Sequence, residues 1–393
     1  MRTVVQVAPY YPPHLGGIEQ VVQHLAEQLS ADHDVHVVTS NVRGAAPVPA
    51  AVKSPAGSSS NAVSVHRHRA IEVAHTVVAP GLPVSLLRAP SSAVIHVHVP
   101  HALLPEQVAL AAGLRGQRYV VHFHGDDGAS GAFGRRVLPV YKRVVFARVL
   151  RAAAGVVVLN ATQAALVQDA YGVRPERVFI VPNGVGPEYY RPAPTRPPEP
   201  GELKLLFVGR LNVQKNVARL LDAISLTRQP VHLTIVGDGE LRAPLTAQAR
   251  RLGLSTGPRP RVRFTGSLYE TDLVQAYHHA DALVLSSDRE GMPLVALEAM
   301  AAALPVIATD VAGNTELLHD TGLLTPPNAH DLAHAIDRLT ADTTLRHRLT
   351  LQSADAATAY SWTNVTDHIK NIYTHIYGPD TATALARPTG ATL

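Results

Sequence analysis

Short apolar runs alternate with longer stretches of helical periodicity along almost the whole chain. Residues 4–8, 35–39, 94–99, 119–122 and 155–159 are β-branched apolar runs bounded by turn residues. Between the first two, Ile18, Val21, Val22, Leu25 and Leu29 recur at the spacing of one helical face. Uninterrupted apolar strands separated by amphipathic helices predict parallel sheets covered by helices on both faces. The pattern pauses after Asn183-Gly184. Residues 187–201 contain six prolines and read as a stiff, extended connection. It then resumes, with apolar runs at 203–209, 232–237, 261–266, 281–286 and 305–309.

Two α/β halves follow from this pattern, an amino-terminal one over residues 1–185 and a carboxy-terminal one over 203–360, joined by the linker 186–202. A last helix, about 363–377, carries Ile369, Ile372, Tyr373 and Ile376 on one face and is expected to cross back to the first half. Residues 43–62, rich in Ala, Pro, Ser and Gly, read as a surface loop, and 378–393 as a flexible tail. No internal repeat of the solenoid kind is visible.

Composition narrows the function classes. At 393 residues, 46% of them hydrophobic and 17% charged, the chain can bury real cores. The formal charge is 35 − 31 = +4, and no long Lys/Arg tract is present, so nucleic acid is not an expected partner. There is no cysteine, which removes disulfides, thiolate catalysis and cysteine-ligated zinc and suits a cytoplasmic address. The start lacks the long apolar core of a signal peptide, and no stretch reaches the length of a membrane span. From Arg135 to Arg151, basic residues recur about every seven positions with Val137, Val144 and Val145 between them. A solvated helix face is the favoured reading there, and peripheral contact with the inner membrane face is the competing one.

In open α/β sheets ligands bind beyond the carboxyl ends of the strands, so the chemistry is sought there. The first strand leads into Pro12-Pro13-His14-Leu15-Gly16-Gly17 and a helix, where Gly16 and Gly17 let backbone N–H groups approach an anion. An ordinary strand–helix turn explains the glycines equally well. Beyond residue 121 stands His122-Phe123-His124-Gly125-Asp126-Asp127, a site candidate that superficially offers metal ligands. Coincidence competes strongly, because the chain has 21 histidines and His66/His68 and His96/His98 share the spacing; no metal is expected.

The second half is more informative. Arg210 and Lys215 follow the strand 203–209 at a spacing that suits a diphosphate, Arg as a fork and Lys as a point charge. After the strand 281–286 comes Glu290-Gly291-Met292-Pro293-Leu294 and, two turns into a helix, Glu298. Glu290 can accept hydrogen bonds from sugar hydroxyls, and Gly291 and Met292 offer N–H groups to phosphate. Glu298, amid Ala and Leu, needs a specific partner, either a ligand or a structural salt bridge.

The segments Phe207-Val208-Gly209-Arg210…Lys215, Val236-Gly237-Asp238-Gly239, Phe264-Thr265-Gly266 and Glu290-Gly291-Met292-Pro293…Glu298-Ala299-Met300 resemble the carboxy-terminal signature of glycosyltransferase family 4. The likeness extends to Gly16-Gly17, His124-Gly125, Val181-Pro182-Asn183-Gly184 and Tyr360-Ser361-Trp362. It implies the GT-B fold, two Rossmann-like domains facing a central cleft. It also implies retaining, metal-independent transfer of a hexose from a UDP- or GDP-sugar to a small-molecule, glycan or lipid-linked acceptor, with no cofactor.

By the same resemblance Gly17 approaches the donor phosphates and acceptor, and His124 contacts the transferred sugar. Arg210 and Lys215 neutralise the diphosphate, Glu290 binds sugar hydroxyls and Glu298 the ribose. Gly237 and Gly266 line the nucleotide. Three positions depart from the family pattern: Asn160 for a serine, Ala303 for a glycine, and Gly313-Asn314-Thr315-Glu316 for a double glycine. They are expected to touch acceptor or sugar selectivity. A metal-dependent transferase would need Asp-x-Asp after a strand, whereas Asp32-His33-Asp34 precedes one. A carbohydrate phosphorylase of the same fold and a non-catalytic sugar-nucleotide sensor remain as alternatives.

Overall fold

In the computed structural model, which describes residues 1–14, 16–42, 63–73, 76–99, 103–125, 138–199, 201–257 and 261–379, the apolar runs form two separate parallel sheets. The chain divides into residues 1–183 with 362–393, and 184–361.

The strands of the first unit are β1 (Thr3–Val7), β2 (Asp34–Ser40), β3 (Ser64–His68), the small hairpin β4 (Ile71–Val73) and β5 (Thr76–Val78), β6 (Val94–Val99), β7 (Tyr119–Phe123), β8 (Gly155–Val158) and β9 (Val178–Ile180). Seven of them make one sheet in the order β3-β2-β1-β6-β7-β8-β9, every pair parallel. Central strands are apolar on both faces because both faces are covered, and Val4, Val7, Val94, Val97, Val120 and Val121 have no solvent exposure. The sequence pattern overlooks β3 and β9. Ser64–His68 alternates polar residues on an exposed edge, and Val178–Ile180 is too short to show a period.

The helix Trp362–Tyr377 belongs to this first unit. Its stripe of Val365, Ile369, Ile372, Tyr373 and Ile376 is buried. Lys370 Nζ lies 2.8 Å from Asp32 Oδ2, the Arg118 guanidinium donates to the Ile376 carbonyl, and Trp362 stacks on His24. At about 1.5–3 kcal/mol for each large apolar side chain, that stripe is enough to hold the helix in place.

The second unit contains β10 (Leu203–Val208), β11 (Val231–Val236), β12 (Val262–Gly266), β13 (Ala282–Leu285), β14 (Val306–Thr309) and β15 (Gly322–Thr325) in the order β12-β11-β10-β13-β14-β15, again all parallel. The order reverses at β10/β13, the topological switch point where such sheets bind ligands. The start of the proline-rich stretch, read as a stiff, extended connection, is hydrogen-bonded to the second unit. Val185 N donates to Tyr360 O at 2.8 Å, Arg191 N to Ala301 O at 3.0 Å and the Tyr190 hydroxyl to Ala357 O at 2.8 Å. Tyr189 and Tyr190 anchor its start on the second unit, a role composition alone does not reveal. The 43–62 loop and residues 380–393 of the tail lie outside the described residues. Among the described residues no helix is long and apolar enough to cross a membrane.

Candidate functional site

The site of the second unit begins at the glycine-lined ends of β10, β11 and β12. Gly237 has φ 131°, and a Cβ there would stand 2.0 Å from the carbonyl oxygen of Gly209, so two strand ends approach as only glycine allows. Gly237 N donates to Gly266 O at 2.8 Å, tying the third strand end to the same place.

From β10 the chain runs through Arg210 to Lys215 and Asn216. Asn216 adopts the left-handed conformation (φ 43°) and caps the helix Val217–Leu226 through its side chain. That turn aims Lys215 at the loop following β13. Lys215 Nζ lies 2.6 Å from Glu290 Oε1, which also accepts from Ser287 Oγ at 2.5 Å. The two loops are laced further. Arg219 pairs with Asp288 at 2.6 Å and donates to the Ser286 carbonyl, while Gln214 O accepts from Asp288 N at 2.8 Å. The Lys215 and Glu290 side chains are 18% and 6% exposed. The Arg210 guanidinium, by contrast, is solvent-exposed and makes no hydrogen bond or ion pair among the described residues.

Gly291 and Met292 follow, half-buried, and Pro293 caps the helix Leu294–Ala301 in extended conformation. The turn is backed by Gly313, where a Cβ would meet the carbonyl oxygens of Gly291 and Glu290 at 2.4 and 2.5 Å. Glu298, on the inner face of this helix, is 7% exposed. Its partner is no cation: the Tyr277 hydroxyl donates to Oε2 at 2.5 Å, and the Tyr189 phenol also hydrogen-bonds to it. Burial pushes the Glu298 carboxyl up to about 7, against the pull of the two phenols. Sequence reading missed Tyr189 and Tyr277. A tyrosine in a helix otherwise rich in polar residues was the available signal.

In the first unit Gly16 precedes the helix Gly17–Leu29 in extended conformation. The Glu19 carboxylate folds back over Gly16, close enough that a Cβ there would meet Oε2 at 2.3 Å, and Oε1 lies 3.1 Å from His14 Nδ1. An acid thus already stands at this helix N-terminus, where the sequence suggested an anion site. His124 directly follows β7; its Nε2 is 2.9 Å from His98 Nδ1, and burial pushes its imidazole down to about 3, so it is neutral. Asp126 and Asp127 lie outside the described residues, as do Arg135 and Arg136. Further along that basic stretch, Phe146, Ala147, Val149 and Leu150 are buried, while Arg143, Val144, Val145, Arg148 and Arg151 are exposed.

The departures from the family pattern have local reasons. Asn160 caps the helix Ala161–Asp169 by accepting from Gln163 N at 2.9 Å. Ala303 takes φ 56° just after the helix Leu294–Ala301 and is buried, which makes it a helix-ending position. Asn314 is fully buried and donates to Thr309 O at 2.9 Å, fixing the start of the helix Ala312–Leu318.

The model of the glycosyl transferase 4-like domain matches residues 16–184, and that of the glycosyl transferases group 1 matches residues 202–342. Glycogen synthase of Mycobacterium tuberculosis is 26% identical over 402 residues, 95% of this chain and 94% of that protein. The GDP-mannose-dependent alpha-mannosyltransferase of Mycobacterium tuberculosis is 35% identical over 182 residues, 45% of this chain and 44% of that protein. The chain spans about half the length of several of the curated relatives it matches. Among solved structures, HepE of Anabaena in complex with UDP and glucose superposes with a TM-score of 0.71 at 20% identity, over 95% of this chain and 100% of that one. Matched by both domain models and folded as two parallel-sheet α/β domains, the chain belongs to glycosyltransferase family 4 and has the GT-B fold.

Proposed function

We propose that this chain is a retaining glycosyltransferase that moves a hexose from a UDP- or GDP-sugar onto an acceptor hydroxyl without a metal at the diphosphate. The observation that carries this reading is the Lys215–Glu290 pair at the mouth of β10 and β13, with the Arg210 guanidinium unpaired beside Lys215 in sequence. Glu290 holds the lysine in place, while Arg210 offers five N–H donors to a diphosphate. Fixed cations of this kind stabilise the charge that develops on a departing nucleoside diphosphate, the task a divalent ion performs elsewhere.

In the reaction the bond between the anomeric carbon and the diphosphate oxygen breaks and the electron pair leaves with the diphosphate. The acceptor oxygen attacks on the same face, and its proton passes to the departing phosphate oxygen. Glu290 accepts hydrogen bonds from the hexose hydroxyls, Gly291 and Met292 face the phosphates, and Glu298 receives the ribose hydroxyls. His124, neutral and held through Nε2, keeps Nδ1 for the transferred sugar. The acceptor belongs to glycan, glycolipid or secondary-metabolite synthesis, and the protein works in the cytoplasm. A thermal-shift screen against nucleoside diphosphates and their sugars, followed by turnover of each stabilising donor, tests the reading. At a hundredfold excess over the dissociation constant a true donor stabilises by about 2.7 kcal/mol. No shift with any UDP or GDP species would overturn it.

A further inference from the structure

Two of the three His-x-His runs of the first unit are neighbours in register: β6 carries His96 and His98, and β7 carries His122 directly opposite His98. Residues two apart on a strand face the same way, so the three imidazoles stand together on one face of the sheet. All three are buried, and one ring nitrogen from each lies within 4.8 Å of the others. Among the described residues, His96 Nε2 and both nitrogens of His122 have no hydrogen-bond partner. Each buried polar atom left so costs about 1–3 kcal/mol, and His96 and His122 each keep a nitrogen that one shared partner would satisfy.

We propose that His96, His98 and His122 form a buried site for a divalent transition metal of the zinc class. Neutral imidazoles are the ligands such ions take, and three histidines with one further position is a known zinc set. An outer partner that orients a ligand is also in place: His96 Nδ1 lies 2.6 Å from the Tyr373 hydroxyl of the helix Trp362–Tyr377. His98 touches His124 Nε2 and Gln6 Oε1 and exchanges one of these contacts for the metal. Tetrahedral coordination at about 2.0–2.1 Å needs nitrogens about 3.4 Å apart, so the rings must close by roughly 1 Å, within reach of side-chain rotation. Such an ion would tie β6, β7 and, through Tyr373, the carboxy-terminal helix together.

The test uses full-length protein without a polyhistidine tag, unfolded in guanidinium with chelator and refolded with Co(II) or Zn(II) alone. The expected result is about one tightly held equivalent, the visible absorption of tetrahedral cobalt, and a higher melting temperature than after metal-free refolding. His122→Gln should lose the bound equivalent and the absorption, whereas His66→Gln, a surface substitution beside His36, should keep both. If His122→Gln does not fold, the wild-type cobalt spectrum decides. No tetrahedral absorption, or the same metal content in wild type and a folded His122→Gln, would overturn the proposal. Neither outcome depends on donor turnover.

Discussion

Lys215 Nζ and Glu290 Oε1 are 2.6 Å apart, although 75 residues separate them in the chain. The pair joins the cation proposed for the diphosphate to the carboxylate proposed for the sugar. Arg210 has no such tether. The two cations that look equivalent in sequence therefore differ physically, one held in advance and one free to fold onto a ligand.

That difference gives the first expectation. Arg210→Ala and Lys215→Ala should each lower donor turnover by about 10²–10³-fold, the scale for removing a transition-state charge contact. Their stabilities should part. Arg210 is exposed and unpaired, so its removal should leave the melting temperature unchanged. Lys215→Ala leaves the Glu290 carboxylate, 6% exposed, with Ser287 as its side-chain donor among the described residues. That should cost about 1–3 kcal/mol. Calorimetric melting beside steady-state rates checks both, and equal stability losses would mean the pair does not hold the lysine.

Ala303 supplies a test free of catalysis. Its φ of 56° is left-handed backbone, which costs a residue with a Cβ roughly 1–2 kcal/mol. Glycine removes that cost but loses some of the gain to greater freedom in the unfolded chain. Ala303→Gly should therefore stabilise the protein by about 1 kcal/mol, or roughly 2–4 °C in a domain of this size. A lower melting temperature would show that the Ala303 methyl packs better than the backbone is strained.

Turnover should also survive EDTA in the assay, because the fixed cations serve the diphosphate. Loss of activity restored by magnesium or manganese, hard ions that bind phosphate oxygens, would show that the donor site needs a metal. A buried histidine-ligated ion would not give that response.

The parallel sheets were legible because fully buried strands are uninterrupted apolar runs, as at 94–99 and 203–208. The edges were not: Ser64–His68 has no apolar face to display. At the candidate site, sequence motifs singled out Arg210, Lys215, Glu290 and Glu298, since glycine and proline punctuation marks the strand ends. The partners were hidden for a physical reason. Tyr277 and Tyr189 reach Glu298 through packing that has no period in sequence, and His98 meets His122 through strand register, which local pattern does not specify. Of the three His-x-His runs, the sheet order makes His96/His98 and His122/His124 adjacent, which their spacing alone does not show.

The two carboxylates should fail in different ways. Glu290→Gln keeps size and one acceptor but removes the charge near the sugar, so it should impair turnover and blur discrimination among hexoses while leaving nucleoside diphosphate affinity largely intact. Glu298→Gln should mainly weaken nucleotide binding. The wild-type pH dependence sharpens the contrast. The Glu298 carboxyl is raised from 4.5 to about 7 in the free protein. A raised acid stabilises the fold fully below its unfolded value, and that contribution is lost as pH rises from 4.5 through 7. The loss is on the order of 3 kcal/mol at 1.36 kcal/mol per unit. Ribose hydroxyls donate to the ionised form, so nucleotide binding should release a proton and tighten as pH rises from 6 to 8. Glu298→Gln has no such proton. It should show a flatter affinity profile than wild type over that range and lose less stability between pH 4.5 and 7. Calorimetric titration of nucleoside diphosphate at several pH values, in buffers of different ionisation enthalpy, measures both affinity and proton release. If Glu290→Gln weakens the nucleotide and Glu298→Gln does not, the roles are reversed. Parallel pH profiles for wild type and Glu298→Gln would place the ribose elsewhere.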